Sequence, residues 1–266
     1  MDAAGGLDDV RGFQGIKWIA DNVNEKENKR GRSGRSVRQP IPLYMSEFCH
    51  SNLESQFPWL LPKKSRKTMM SQQPKTQPAV KRDVASFDVT IFKDYQEEVI
   101  IGAESSSNNT QMEGFEFVPL PVWHGDDLIS HGFAFSLNPG PASSSSSRSL
   151  NVVYLSDISR MVPKTLEFIQ TKLPPTDILI VDSLYWDKQI PVHFSMEQVV
   201  NLSQTLQPRI RTYLIGMSCD DFLSNDEMNV YLKHTYGKSR NEKNDSEGVV
   251  AMAHDGLVIE LPGDNV

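Results

Sequence analysis

Asn151-Val152-Val153-Tyr154-Leu155-Ser156-Asp157-Ile158-Ser159 is the stretch that decides how the chain is read. Residues 152–155 are a short apolar run of β-branched and aromatic residues, the pattern of a buried strand, and a carboxylate follows two positions on. Towards the C-terminus the same theme repeats. Residues 163–172 open with Pro163, which is preorganised for a first helical turn, and predict a helix. Ile178-Leu179-Ile180-Val181 predicts a second buried strand ending at Asp182. Residues 196–206 predict a helix, 212–215 a strand and 226–236 another helix. Strands alternating with helices define an α/β class with helices packed on a sheet. Residues 249–253 and 257–261, with Asp255-Gly256 between them, predict a closing hairpin.

Towards the N-terminus the pattern turns β-like over 87–92, 98–101, 115–122 and 132–137. Pro40-Ile41-Pro42-Leu43-Tyr44-Met45 predicts a short strand, which its prolines confine to an edge or a strand start. A helix is predicted near 47–57. Leu7, Val10, Phe13, Ile16, Ile19 and Val23 recur at helical steps, so 7–23 predicts an amphipathic helix with Asp8 and Asp9 in its first turn. Polar inserts near 24–39, 63–84, 104–111, 139–149 and 237–247 interrupt what reads as a single domain over 1–266.

Hydrophobic residues make up 38% of the chain, below the roughly 45–50% of a typical globular domain counted with glycine. The deficit lies in the inserts, and what remains is enough for a sizeable core. No apolar run approaches the roughly 20 residues of a membrane-spanning helix. The net charge is −7, yet residues 1–100 hold sixteen Lys and Arg against thirteen Asp and Glu, which leaves −10 for the remainder. The excess cations sit in the inserts 24–39 and 63–84. They carry little aromatic interleaving, so base stacking is not indicated; a solvated loop and a phosphate-contacting segment are the two readings. Cys49 and Cys219 set up no disulfide framework and point to a reducing, intracellular setting, the cytoplasm in the simplest case, with an organelle left open. No P-loop, dinucleotide fingerprint, nucleophile elbow or C-x-x-C pair occurs.

Candidate chemistry collects at strand ends. His124 closes the strand ending Val122-Trp123, Asp157 follows 152–155, and Asp2 precedes the first predicted helix. A carboxylate, an imidazole and a second carboxylate suit Zn²⁺, Mn²⁺ or Fe. Each residue also has a plain structural reading. His124 serves as a hydrogen-bonded structural histidine, Asp157-Ile158-Ser159 as a cap for the helix near Pro163, and Asp2 as a mobile terminal acid.

Further stretches fall in a recognisable order: Asp2-Ala3 with Gly6-Leu7-Asp8-Asp9-Val10-Arg11, Pro119-Leu120-Pro121-Val122-Trp123-His124-Gly125, and Gly132-Phe133-Ala134-Phe135. Tyr154-Leu155-Ser156-Asp157-Ile158-Ser159, Asp177-Ile178-Leu179-Ile180-Val181-Asp182 and His193-Phe194-Ser195 follow, then Leu214-Ile215-Gly216-Met217-Ser218-Cys219 and Ala253-His254-Asp255-Gly256-Leu257. As an ordered set they resemble the cyclic-phosphodiesterase-like and tRNase Z-like branch of the metallo-β-lactamase-fold proteins.

That resemblance implies a four-layer αββα sandwich with a pair of divalent metal ions, Zn or Mn. It implies hydrolysis by a metal-activated water, with a small-molecule or nucleotide phosphodiester as substrate. His124 would bind the first metal and Asp157 would bridge the two. Asp2 would bind the second and orient the water. His193 would line the site, as proton donor to a leaving group or beside a ligand; as a helix-start histidine next to the Ser195 cap it would do neither. Asp182 would stand behind the site.

Three departures qualify the expectation. The family's H-x-H element and the strands before it are not in this sequence, which implies an N-terminal sheet with an unpaired edge and an uncovered apolar face. Ala3 stands where many relatives have a histidine. Ser218-Cys219 stands where relatives show a Thr-His pair, so Cys219 is either a thiolate metal ligand or a small residue at a strand end. Asp220, Asp221 and Asp226 are the alternatives there, although they read as helix-start acids. His254 reads as structural, and His50, His131 and His234 as packing or surface residues. Three functions fit: a metal-dependent hydrolase, a non-catalytic binding module on the same fold, and an RNA-processing nuclease using the basic inserts. The oligomeric state leaves no signal.

Overall fold

The computed structural model describes residues 16–20, 34–38, 40–61, 85, 87–96, 99–101, 115–137, 149–237 and 250–259. The chain divides into two compact units, Met1–Lys93 and Asp94–Val266.

In the first unit, strand β1 (Ile16–Ala20) pairs antiparallel with β2 (Gly34–Arg38), Ile16 opposite Arg38. This corrects two expectations: 16–20 is not helical, and 34–38 is not loop. Ile16, Trp18 and Ile19 fit a strand as readily as a helix, and a partner distant in sequence overrides the local period. Residues 7–15 and 24–33 of those predicted elements lie outside the described residues. Strand β3 (Ile41–Ser46) pairs in parallel with β4 (Phe87–Phe92) in a two-stranded sheet, so Pro42 sits in an edge strand, as predicted. Helix α1 (Glu47–Gln56) follows directly, its first turn closed by Ser46 Oγ accepting from the Cys49 amide at 3.3 Å. Met45, Leu53 and Leu61 form one small core, and Leu60, Ala85 and Phe87 another. The insert 63–84 lies outside the described residues.

The second unit carries the main sheet. Its strands are β5 (Val99–Ile101), β6 (Phe115–His124), β7 (Leu128–Leu137), β8 (Leu150–Leu155), the short β9 (Arg160–Met161), β10 (Ile178–Asp182), β11 (Arg211–Ile215) and β12 (Val250–Met252). They run in the order β12-β11-β10-β8-β7-β6-β5, with β9 against β6. From β5 to β8 the pairing is antiparallel, and from β8 to β12 it is parallel. Helices α2 (Pro163–Thr171), α3 (Met196–Leu206) and α4 (Asn225–Tyr236) make the crossovers that parallel neighbours require. The α/β class read from the alternation is thus what the chain forms.

The largest core lies between these helices and the sheet. Leu120, Val122, Leu155, Leu179, Val181 and Leu214 from the strands meet Val199 of α3 and Met228 and Leu232 of α4. Met228 and Leu232, one helical turn apart, are both fully buried. At the start of α3, Gln198 Oε1 accepts from the Ser195 amide at 2.9 Å, which makes Ser195 the predicted cap.

The closing hairpin is corrected. The turn at Asp255-Gly256 is present, with Gly256 at φ +79° and the Leu257 amide donating to His254 O at 3.1 Å. However, β12 pairs in parallel with β11, and 257–259 forms no strand. Leu257 and Ile259 instead pack on the cluster of Leu150, Val152, Ile178 and Tyr213. Burying those side chains satisfies the apolar pattern without a second strand.

Candidate metal centre

The carboxyl ends of β8 and β10 and the end of β6 meet at one place in the second unit, the region where open α/β sheets present ligand groups. His124 is the last residue of β6, and Gly125 at φ +78° turns the chain towards β7. Asp157 lies two residues beyond β8, in the left-handed region at φ +53°. Asp residues adopt that conformation more readily than most.

Ser159 fastens this loop to the His124 turn. Its amide donates to Trp123 O at 2.7 Å and its hydroxyl donates to the same carbonyl at 3.1 Å, while the Gly125 amide donates to Ser159 Oγ at 3.0 Å. The reading of Asp157-Ile158-Ser159 as a helix cap is therefore corrected. The cap residue of α2 is Val162, without a side-chain hydrogen bond, and Pro163 starts the helix as predicted.

The segment between β10 and α3 brings in the third side chain. Hydrogen bonds Leu184 N to Phe194 O and Met196 N to Tyr185 O, each 3.1 Å, close this segment at its base. From it His193 turns towards His124, the two rings lying 5.1 Å apart at 68°. His124, Asp157 and His193 each offer a ligand atom, all within 4.8 Å of one another. Both histidines are half-buried, and Asp157 is the most open of the three.

Both imidazoles are held through Nδ1. His124 Nδ1 donates to Val192 O at 2.8 Å, and His193 Nδ1 donates to Asp182 Oδ2 at 2.6 Å. With Nδ1 carrying the proton, the lone pair of each ring is on Nε2. This is the arrangement that metal-binding histidines require. Asp182 ends β10 almost completely buried and also accepts from the Ile158 amide at 3.4 Å. Burial pushes its carboxyl above the ordinary range, while the hydrogen bond and charge of His193 pull it back down.

Two imidazoles with free Nε2 positions and one carboxylate fit a borderline divalent cation such as Zn²⁺. No hydrogen bond reaches the Asp157 carboxylate from the described residues, so its oxygens remain open to a cation.

The other residues read from the sequence are placed as follows. Asp2 lies outside the described residues. Cys219 stands exposed in the turn after β11, a free thiol, and the group of His124, Asp157 and His193 does not include it. Asp221 accepts from the Trp186 amide at 2.5 Å, and Asp226 lies in the first turn of α4, the position expected of a helix-start acid. His131 bonds Asp94 at 2.9 Å, and His254 Nδ1 donates to Asp255 O at 3.0 Å. The Val192 carbonyl and the Ser159 hydroxyl escaped the sequence reading as site groups. A carbonyl carries no residue-specific signal, and Ser159 was visible only as a polar neighbour of Asp157.

No protein-family model and no curated protein matches the chain. Among solved structures it is similar to a new diphosphatase of the PhnP family at 20% identity and a TM-score of 0.49, over 84% of this chain and 60% of that one. It is similar to an isothiocyanate hydrolase from Delia radicum gut bacteria at 14% identity and a TM-score of 0.40, over 66% and 60%. It is also similar to an E377D mutant of CmlA β-hydroxylase at 14% identity and 0.39, over 63% and 32%. The chain thus spans less than two thirds of the length of each. Among the described residues no helix is long and apolar enough to cross a membrane.

Proposed function

We propose that this metallo-β-lactamase-like α/β chain belongs to a metal-dependent hydrolase that cleaves phosphodiesters, in a small molecule or a nucleotide. One observation carries the reading: His124, Asp157 and His193 converge within 4.8 Å. The Nδ1 hydrogen bonds of both rings support it, because they prepare Nε2 for a cation before any cation arrives. A bound divalent ion lowers the pKa of a coordinated water to about 7 and stabilises negative charge on a phosphoryl oxygen.

The residues have separable tasks. His124 and Asp157 hold the cation, and the Val192 carbonyl keeps the His124 ring in its binding tautomer. Ser159 fixes the distance between the His124 turn and the Asp157 loop. Asp182 orients His193 towards the same point. The two-ion arrangement, Zn or Mn, that the resemblance implies is the alternative to a one-ion site, and it alone would draw on Asp2 as ligand and water-orienting residue and on Cys219 as ligand.

The test is hydrolysis of a chromogenic phosphodiester by the purified chain after chelation and after return of Zn²⁺ or Mn²⁺. Turnover that needs the metal and is lost in both His124→Gln and Asp157→Asn is the expected result. Equal turnover by the wild type and both variants would overturn the reading.

A further inference from the structure

We propose that His193 is itself a metal ligand, so that His124, Asp157 and His193 form a one-metal centre without Asp2 or Cys219. The proposal deepens the metal-dependent reading above and rests on it for the presence of a cation.

His193 is prepared for a metal in the same way as His124. Each ring donates Nδ1–H to an oxygen and keeps an Nε2 lone pair: Asp182 Oδ2 at 2.6 Å serves one, Val192 O at 2.8 Å the other. The partner of His193 is an almost fully buried carboxylate, which makes the stronger of the two contacts. A carboxylate behind an imidazole fixes its tautomer and ring orientation, which presents the Nε2 lone pair to a cation.

The geometry agrees. The three ligand atoms already lie within 4.8 Å of one another. Bonds of about 2.0–2.2 Å to zinc in tetrahedral geometry bring such atoms to roughly 3.3–3.5 Å apart. Half-buried side chains at a strand end and in a loop can make that contraction. Three protein ligands leave a fourth position open, the count found in catalytic zinc sites. Two histidines with one carboxylate also suit Fe²⁺. Cys219, the sequence's candidate for another ligand, is exposed and outside this group.

One loop then serves the metal twice. Val192 orients His124, and the next residue, His193, binds. A cation would join the 185–195 loop to β6 and to the Asp157 turn, so loading should order that loop.

The experiment is titration of the metal-free full chain with Co²⁺, followed by visible absorption and calibrated by competition with Zn²⁺. One Co²⁺ per chain is expected. His193→Gln should weaken binding as much as His124→Gln does, and Cys219→Ala should leave it unchanged. Asp182→Asn should weaken it by about 10–100-fold, the usual loss when a ligand's partner is removed. His193→Cys gives a positive readout that does not depend on lost binding: a thiolate at 193 bonded to Co²⁺ adds an intense near-ultraviolet charge-transfer band. Hydrogen exchange of 185–195 should slow on loading in the wild type.

The proposal is overturned if His193→Gln binds Co²⁺ within about threefold of wild type while His124→Gln and Asp157→Asn lose it, or if His193→Cys binds without the new band. In those cases His193 stands beside the metal and only the ligand assignment falls. If the wild type binds no Co²⁺, this proposal and the metal-dependent reading fall together.

Discussion

His193 Nδ1 lies 2.6 Å from Asp182 Oδ2, and the other oxygen of that carboxylate takes the Ile158 amide at 3.4 Å. One buried acid at the end of β10 thus sits behind both the loop that carries His193 and the loop that carries Asp157.

Burial raises the Asp182 carboxyl, against the opposing pull of His193, and this sets a pH dependence of stability. An acid with a raised folded-state pKa binds its proton more tightly when folded. It contributes stability that is fully present below the unfolded value, about 4 for Asp, and lost as the pH rises through the folded value. Urea melts of the chelated wild type and of Asp182→Asn at several pH values check this. The wild type should lose stability relative to the variant as the pH rises above about 4. A wild type that gains relative to the variant over that window would contradict the assignment.

Asp157 carries backbone strain and a like charge near Asp182. A non-glycine residue in the left-handed region costs on the order of 1 kcal/mol. Without metal, Asp157→Gly should melt at higher urea than wild type by about 0.5–1 kcal/mol. Asp157→Asn should gain less, because it relieves only the charge. Added Zn²⁺ should reverse the order, since only the wild type gains stability from the ion. Both variants melting below the chelated wild type would count against the strain.

Gly132 of β7 couples packing to the site. A Cβ there would lie 2.5 Å from Leu155 Cδ2 and 2.6 Å from the Tyr154 carbonyl oxygen. Gly132→Ala should destabilise the chain by about 1–3 kcal/mol, the usual cost of overpacking. Because β8 must shift to make room, metal affinity should fall as well. Unchanged affinity in a destabilised Gly132→Ala would show that the Asp157 turn moves independently of its strand.

The two thiols should react unequally. Cys219 is exposed, while Cys49 is half-buried and its thiol is pushed up by burial. Peptide mass spectrometry after brief alkylation at neutral pH should find Cys219 modified first. Saturating Zn²⁺ should leave that rate unchanged, whereas zinc protection would make Cys219 a ligand.

Ser159→Ala removes the hydroxyl that bonds Trp123 O and the Gly125 amide. A loss of about 1–2 kcal/mol is expected. Metal affinity should fall with it, because nothing else on the Ser159 side chain holds the His124 turn to the Asp157 loop. Calorimetric titration measures the second effect directly.

The second unit was legible along the chain because its signals are local. The apolar runs 152–155 of β8 and 178–181 of β10 are what strands covered on both faces need, and Pro163 and Ser195 mark helix starts by their own chemistry. Asp157 and His124 were visible as polar residues closing apolar runs. The first predicted helix failed at 16–20 for the opposite reason. Its three- and four-residue spacing is compatible with both periods over five residues, and Gly34–Arg38 supplied a strand partner that no local window contains.

The amino-acid sequence by itself determined the α/β alternation, the strand ends that carry His124 and Asp157, and the resemblance of the ordered motifs. These depend on side-chain period, backbone propensity and residue type, which are properties of short windows. Only the tertiary structure brought His193 to those two residues, in a group that does not include Cys219. It alone showed that Asp182 and the Val192 carbonyl set the two imidazoles. Such relations join segments tens of residues apart. Their energy comes from hydrogen bonds and burial that exist only once the strands have paired, and no local pattern records them.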